Sequence, residues 1–276
     1  MIGDAKKLII MTDIHITDEG EKIIGLDPLE RFCLARDAAL DRHSDAEAMI
    51  LMGDLTHHGR VSQYERLAPA LADIPMHVIK MIGNHDRREA FVEVFSDTPV
   101  TSDGHVQQIV DLSSHRIITL DTLDGPPYPQ WHHAGMLGPQ RLAWLKDALE
   151  GAGSRIPLVF AHHPPFDTGI IGMDYIKLKD GEDLLALLAQ YPNTHLFCGH
   201  VHRTISGSLK GVAWSMLKST CHHGPLELEK IDPTLSLDEP GSYGLALLTE
   251  NGVVFHSEDV GIGSDVQSDL HSMAKH

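Results

Sequence analysis

Cysteine is scarce: Cys33, Cys198 and Cys221 are the only three in 276 residues, and their spacing makes no disulfide framework. A secreted scaffold stapled by disulfides is excluded, and the expected setting is a cytoplasm that keeps thiols reduced. Long apolar runs are missing as well. No stretch reaches the roughly 18 uninterrupted apolar residues of a membrane span, so no membrane partner is expected. The opening run, Leu8-Ile9-Ile10-Met11, ends before Asp13 and is too short for a secretory leader. Positive charge is the third shortage, with 22 Lys and Arg against 39 Asp and Glu and a formal net charge of −17. A nucleic-acid partner would call for clustered Lys and Arg along a phosphate track. Such clusters are few here, Arg87-Arg88 among them, so neither a nucleic-acid partner nor a nuclease activity is expected. A small anionic substrate stays compatible with the charge, because bound cations can reverse the local field.

What the chain does have is a recurring short run of Val, Ile and Leu bounded by turn residues. Residues 7–11, 48–52, 77–82, 106–112, 116–120, 157–161 and 194–198 read as strands on this pattern. Helical patterns lie between them, at 29–42, 61–71, 87–94, 138–149 and 182–189. The first follows Pro28 at a first-turn position and Asp27 as its cap. In 138–149, Leu142, Leu145 and Leu149 share one face, with Trp144 beside them in the core. The alternation predicts βα units with parallel strands in an α/β layered fold. Asn251-Gly252 between apolar residues 243–249 and 253–259 predicts a C-terminal β-hairpin, so the sheet content is mixed. Residues 203–241, with Pro225, Pro233 and Pro240, read as an irregular lid or oligomerisation segment of a single domain spanning 1–276. Residues 126–129 (Pro-Pro-Tyr-Pro) read as a stiff loop at the site rim, and the polar residues 257–276 as a fraying tail.

The chemistry gathers at the ends of the strand runs. Five of them lead within a few residues into metal-ligand residue types: Asp13 and His15; Gly53-Asp54; Gly83-Asn84-His85-Asp86; His162-His163; Gly199-His200 with His202. Ligands of open α/β sheets bind beyond the carboxyl ends of the strands, so parallel strands would bring all five clusters to one edge. Asp13-x-His15 and His200-x-His202 have the spacing of two that an extended backbone turns to one face. Gly53, Gly83 and Gly199, each before a cluster, let the backbone turn and approach an ion. Carboxylate, imidazole and amide donors suit Mn²⁺, Fe²⁺, Co²⁺ or Zn²⁺. Seven donor groups exceed what one ion takes and fit two ions bridged by a carboxylate, an arrangement used for in-line displacement at phosphorus. Singly, Asp13 also fits a turn or helix cap and Asn84 a turn amide; the joint pattern is what disfavours those readings.

The ordered set, Asp13-x-His15, Gly53-Asp54, Gly83-Asn84-His85-Asp86, His162 and Gly199-His200-x-His202, resembles the calcineurin-like metallophosphoesterases across about 190 residues. Leu120-Asp121-Thr122, Gly135, Leu137, Gln140, Trp144-Leu145, His162-His163-Pro164-Pro165 and Ser219-Thr220 are similar to the class III cyclic nucleotide phosphodiesterases and related glycerophosphodiesterases within them. The resemblance implies a four-layer αββα sandwich of two mixed β-sheets flanked by helices. It implies that Asp13, His15 and His202 hold one divalent metal ion, that Asn84, His162 and His200 hold a second, and that Asp54 bridges them. A hydroxide shared by the ions would attack a small phosphodiester. Asn84, His85 and His222 would face the substrate, His85 would contact the phosphoryl oxygen or protonate the leaving alkoxide, and Asp86 would orient His85. The family's habits add a homodimer or higher homo-oligomer.

Other histidines read as structural. His163, beside a ligand on a strand end, is expected to face the opposite way, and His57-His58, His132-His133 and His222-His223 lack a strand-end carboxylate and default to surface or loop positions. Cys198 reads as a buried small hydrophobe and Glu227, Glu229 and Asp232 as a solvated run. Two other functions fit the scaffold: a phosphomonoesterase, and a catalytically inactive protein-binding module. The second is disfavoured because no ligand position is missing.

Overall fold

The structure is a computed structural model that describes residues 5–129 and 133–262. Strands β1 (Lys6–Met11), β2 (Ala48–Met52), β3 (His77–Met81), β10 (Ser242–Thr249) and β11 (Gly252–Asp259) form one sheet in the order β11-β10-β1-β2-β3. Strands β4 (Gln108–Asp111), β5 (His115–Leu120), β6 (Ile156–Ala161), β7 (His195–Cys198), β8 (Ile205–Leu209) and β9 (Val212–Met216) form a second, in the order β4-β5-β6-β7-β9-β8. Helices α1 (Pro28–His43), α2 (Val61–Ala72), α3 (Arg88–Val94), α4 (Gly138–Glu150), α5 (Ile171–Asp174) and α6 (Gly181–Leu188) complete the elements.

Alternation along the strands builds the layers. Leu8, Ile10, Ile50 and Met52 of the first sheet pack with Leu158, Phe160 and Phe197 of the second. Their neighbours Ile9, Met11, Met49 and Leu51 face outward onto Phe32 and Ala35 of α1 and Tyr64 and Leu67 of α2. On the far side Ile118, Val159, Ala161 and Leu196 meet Leu145 and Leu149 of α4 and Leu184 and Leu188 of α6. The result is a four-layer α/β/β/α sandwich. The inner strands are covered on both faces, which is why β1 and β2 read as continuous apolar runs. Pairing is mixed: β1-β2-β3 and β5-β6-β7-β9 are parallel, while β10, β11, β4 and β8 run antiparallel to their neighbours. Asp27 caps α1 as its sequence predicts, accepting from the Leu29 and Glu30 amides.

Three expectations need correction. The segment 203–241 is not irregular throughout, because β8 and β9 form a hairpin within it that extends the second sheet. The residues of β8 are exposed or half-buried, so no alternating pattern betrays this edge strand. Beyond Met216 the segment has no helix or strand among the described residues, only the isolated bridge His223–Leu237. Second, the 106–112 run gives only the short β4, because the Val106 amide donates to the Asp121 carboxylate at 2.9 Å. Third, α5 is absent from the expected helices, its four residues being too few for a periodic signal. His132 and the last 14 residues of the expected tail (263–276) lie outside the described residues. No helix among the described residues is long and apolar enough to cross a membrane.

Candidate metal centre

The loops that leave β1, β2, β3, β6 and β7 converge, and Asp54 stands at their meeting point. Its Oδ2 lies 3.2 Å from His162 Nε2 and 3.6 Å from His15 Nε2. Asp13 Oδ1 lies 3.3 Å from His202 Nε2 and 3.8 Å from His162 Nε2, and the Nε2 atoms of His15 and His202 are 3.0 Å apart. One donor atom from each of Asp13, His15, Asp54 and His202 falls within 4.8 Å of the others. His162 and His200 adjoin this group, their rings 5.4 Å apart.

Backbone groups hold these side chains in place. The Asp13 carboxylate accepts from the Thr12 hydroxyl at 2.8 Å and the His200 amide at 3.0 Å, and Asp54 Oδ1 accepts from the His85 amide at 2.9 Å. His162 Nδ1 sits 3.0 Å from the Met52 carbonyl and His202 Nδ1 3.0 Å from the His222 carbonyl. A proton on Nδ1 makes both bonds and leaves Nε2 a lone pair toward the cluster, the tautomer a cation requires.

The residues fit a divalent cation on an observation internal to the structure. Asn84 Oδ1 and His200 Nε2 are buried and make no hydrogen bond, while His162 Nε2 has only the Asp54 carboxylate, at 3.2 Å. Leaving a buried polar atom unsatisfied costs roughly 1–3 kcal/mol, so two in one cluster, both of ligand type, point to a cation that satisfies them. Asn84 is oriented for it, since its Nδ2 lies 2.9 Å from His133 Nδ1 and the carbonyl end stays free.

The backbone conformation departs from expectation. Asp13 (φ 53°), His15 (54°), Asp54 (49°), His200 (71°) and His202 (54°) are left-handed. The two spaced pairs therefore converge through paired left-handed turns, not an extended strand, at a cost of order 1–3 kcal/mol per residue that the surrounding structure must offset. Glycines carry the close approaches: a Cβ on Gly83 would lie 2.3 Å from Asp54 Oδ1, and one on Gly53 (φ +93°) 2.6 Å from His162 Nδ1.

Charge is shared unevenly. Burial would lower the His162 pKa, but the Asp54 and Asp13 carboxylates outweigh it and raise it to about 9. Burial would raise Asp54, yet His162 and His85 hold it well below the usual carboxylate range. His202 is raised against burial by Asp13, whereas burial drives His15 and His200 well down.

Around this centre the expected roles divide. His85 lines the cavity, with Nδ1 2.8 Å from the His57 carbonyl and its ring stacked between those of His57 (5.2 Å) and His133 (5.0 Å). Asp86 does not orient it. The Asp86 carboxylate is fully buried and accepts from the Leu55, Thr56 and Gly83 amides and the Thr56 and Tyr64 hydroxyls, which ties two strand-end loops together. His163 does not face away as expected: its ring lies 4.6 Å from His200 and 5.0 Å from His162, while Nδ1 meets Thr122 Oγ1 at 2.7 Å and Nε2 the His133 carbonyl at 3.0 Å. His222 faces the centre, its ring 4.5 Å from His202 and 5.0 Å from His15. His223 is no surface residue, being buried with Nε2 2.9 Å from the Ser219 carbonyl. The sequence reading misses His57 and His133. Both line the cavity, and the available signal was that His57 follows Asp54 in the same strand-end loop.

The cavity over the centre has a volume of about 430 Å³. Its lining includes the apolar side chains of Ile23, Ile24, Ile170, Met173, Ile176 and Leu235, and much of the segment 224–236. Lys230 is the only Lys or Arg among the described lining residues, with Glu227 and Asp232 near it in the same segment.

A carboxylate-imidazole-amide cluster at one edge of two stacked sheets defines a class, the metal-dependent hydrolases of this sandwich fold. The model of the calcineurin-like phosphoesterases matches residues 6–204, and the chain belongs to that family. A probable cyclic nucleotide phosphodiesterase of Rhodopseudomonas palustris is 36% identical over 253 residues, covering 91% of each chain. A probable glycerophosphodiester phosphodiesterase, GpdQ, of Arcobacter nitrofigilis is 32% identical, with 78% of each chain covered. Among solved structures, a dimetal phosphatase from Danio rerio shares the fold with a TM-score of 0.69 at 15% identity, over 92% of this chain and 96% of that one.

Proposed function

We propose that the protein hydrolyses a small phosphodiester, a cyclic nucleotide in preference to a glycerophosphodiester, with two divalent cations drawn from Mn, Fe, Zn or Co. Asp13, His15 and His202 would hold one, Asn84, His162 and His200 the other, and Asp54 would bridge. Bound there, the cations supply Lewis-acid stabilisation at phosphorus and activation of water. The observation that carries this reading is the pair of buried, unpartnered ligand atoms on Asn84 and His200 beside the Asp13, His15, Asp54 and His202 cluster.

The remaining work falls to the chain. His85, with Nδ1 committed to the His57 carbonyl, has Nε2 available to hold a proton for the departing alkoxide. His222 sits beside the centre, where burial and the neighbouring His202 keep it neutral, so it contacts the substrate without adding charge. The apolar part of the lining supports a diester that carries a flat ring, as a cyclic nucleotide carries its base on the ribose. A glycerol headgroup would bury hydroxyls against isoleucine and methionine, which is costly without partners. The reading includes a cytoplasmic homodimer or higher oligomer, checked by sedimentation and cell fractionation.

Asp54→Ala tests the proposal. The variant is expected to bind fewer than two metal equivalents and to lose turnover, while the wild-type protein hydrolyses bis-p-nitrophenyl phosphate faster than p-nitrophenyl phosphate. Full metal content and full turnover in Asp54→Ala would overturn it. A panel of 3′,5′-cyclic, 2′,3′-cyclic and glycerol diesters then ranks the substrates.

A further inference from the structure

His57 makes two contacts that its position in the chain does not announce. Its ring Nδ1 lies 3.3 Å from Nδ1 of His15, and its backbone carbonyl lies 2.8 Å from Nδ1 of His85. The loop that carries it is rigidly held: the His57 amide donates to the Ile16 carbonyl at 2.9 Å, Ile16 and Thr56 form a parallel bridge, and the Asp86 carboxylate accepts the Thr56 amide at 3.1 Å. The His57 backbone therefore cannot move away from the His15 loop without breaking the register between the two strand-end loops.

We propose that His57 is a positioning residue whose ring nitrogen fixes the tautomer and orientation of His15 for the first cation, while its carbonyl fixes His85. The inference rests on the dinuclear reading above. A cation on His15 Nε2 needs that nitrogen's lone pair, which puts the ring proton on Nδ1, aimed at His57 Nδ1. His57 is then the acceptor and carries its own proton on Nε2. Backbone carbonyls do this work for His162 and His202, whereas at His15 a neutral imidazole stands in for them. Partners of this kind set metal affinity, and their loss typically costs 10–100-fold.

Two substitutions separate the acceptor from the ring. His57→Phe keeps the packing volume and loses the nitrogen; His57→Asn loses the ring and can keep an acceptor near the position of Nδ1. Both retain the backbone carbonyl that His85 uses. Zn²⁺ titration of the chelator-stripped full chain, by calorimetry with a competing chelator, is expected to show one of two equivalents weakened about 10–100-fold in His57→Phe. In His57→Asn that affinity is largely restored. The Zn²⁺ concentration for half-maximal turnover of bis-p-nitrophenyl phosphate should rise by the same factor in His57→Phe. Wild-type affinity in His57→Phe, or equal weakening in both variants, would overturn the role. Nitrogen-15 correlation spectra of the Zn²⁺-loaded wild-type protein test it without any variant: a His57 proton on Nε2 supports the assignment, and one on Nδ1 overturns it. Fewer than two equivalents in the wild-type protein would instead sink the dinuclear reading itself, so the two failures are distinct.

Discussion

The rings of His57, His85 and His133 form a stack along one wall of the cavity, and the residue after His85 is turned fully into the protein. Neighbours in the chain should therefore fail in different ways. His85→Ala is expected to keep its melting temperature and metal content and to lose about 10²–10⁴-fold in kcat on a cyclic nucleotide, whose alkoxide needs a proton to leave. The loss should be smaller on bis-p-nitrophenyl phosphate, because a p-nitrophenolate departs without one; equal losses on the two substrates would remove the acid role. Asp86→Asn should instead lose about 3 kcal/mol of stability in urea unfolding, since an amide nitrogen would face donors that the carboxylate now satisfies. The Gly-Asn-His-Asp string marked all of these residues as important, but it carries no sign of which side of the loop each faces. The pairing of Asp86 with His85 failed for that reason. His57 and His133 stayed hidden because an isolated His doublet gives no ligand spacing to read.

Between elements, the ion pair of Arg88 and Asp121 joins what the sheets keep apart. Arg88 opens α3, on the outer side of the first sheet, and Asp121 follows β5 of the second. The pair is buried and doubly bonded, with Nε to Oδ2 and Nη2 to Oδ1 both at 2.7 Å. Asp121 also accepts the Val106 and Leu123 amides, and Arg141 from α4 donates to its carbonyl at 2.6 Å. Arg88→Met should cost about 3 kcal/mol, because it leaves the buried carboxylate only the two amides and the Arg141 guanidinium 3.6 Å away, and the double variant Arg88→Met/Asp121→Leu should lose less. Urea unfolding in a double-mutant cycle measures both; a single variant within 1 kcal/mol of wild type would show that water reaches the carboxylate. At this scale the sequence was most legible where burial is two-sided, as in β1, β2 and β6, and where a cap is local, as at Asp27. It was silent on β8, an exposed edge strand, and on long-range ion pairs, which leave no periodicity in a single chain.

For the molecule as a whole, folding, metal uptake and protonation form one linked equilibrium. Two unpartnered ligand atoms and five left-handed ligand residues burden the metal-free fold, and a cation relieves the first of these. The net charge of −17 favours cation approach from any direction. His162 sets the sign of the pH dependence. Its pKa is about 9 in the metal-free fold, against an ordinary value of about 6.5 when unfolded. The fold therefore binds a proton there that the unfolded chain has released. That contribution to stability is complete below about pH 6.5 and is lost as pH rises through about 9. A cation competes for the same nitrogen, so loading between these limits should release about one proton from His162, and apparent metal affinity should climb with pH until about 9. Stabilisation by metal follows mass action, about 2.7 kcal/mol at a hundredfold excess over Kd. Melting curves with and without a chelator should thus diverge as pH is raised from 6.5 to 9, the stripped protein losing Tm while the loaded one holds it. Calorimetry in two buffers of different ionisation enthalpy counts the released proton. A gap between the curves that stays constant with pH, or no buffer dependence of the heat, would mean that the cation does not take the place of the His162 proton.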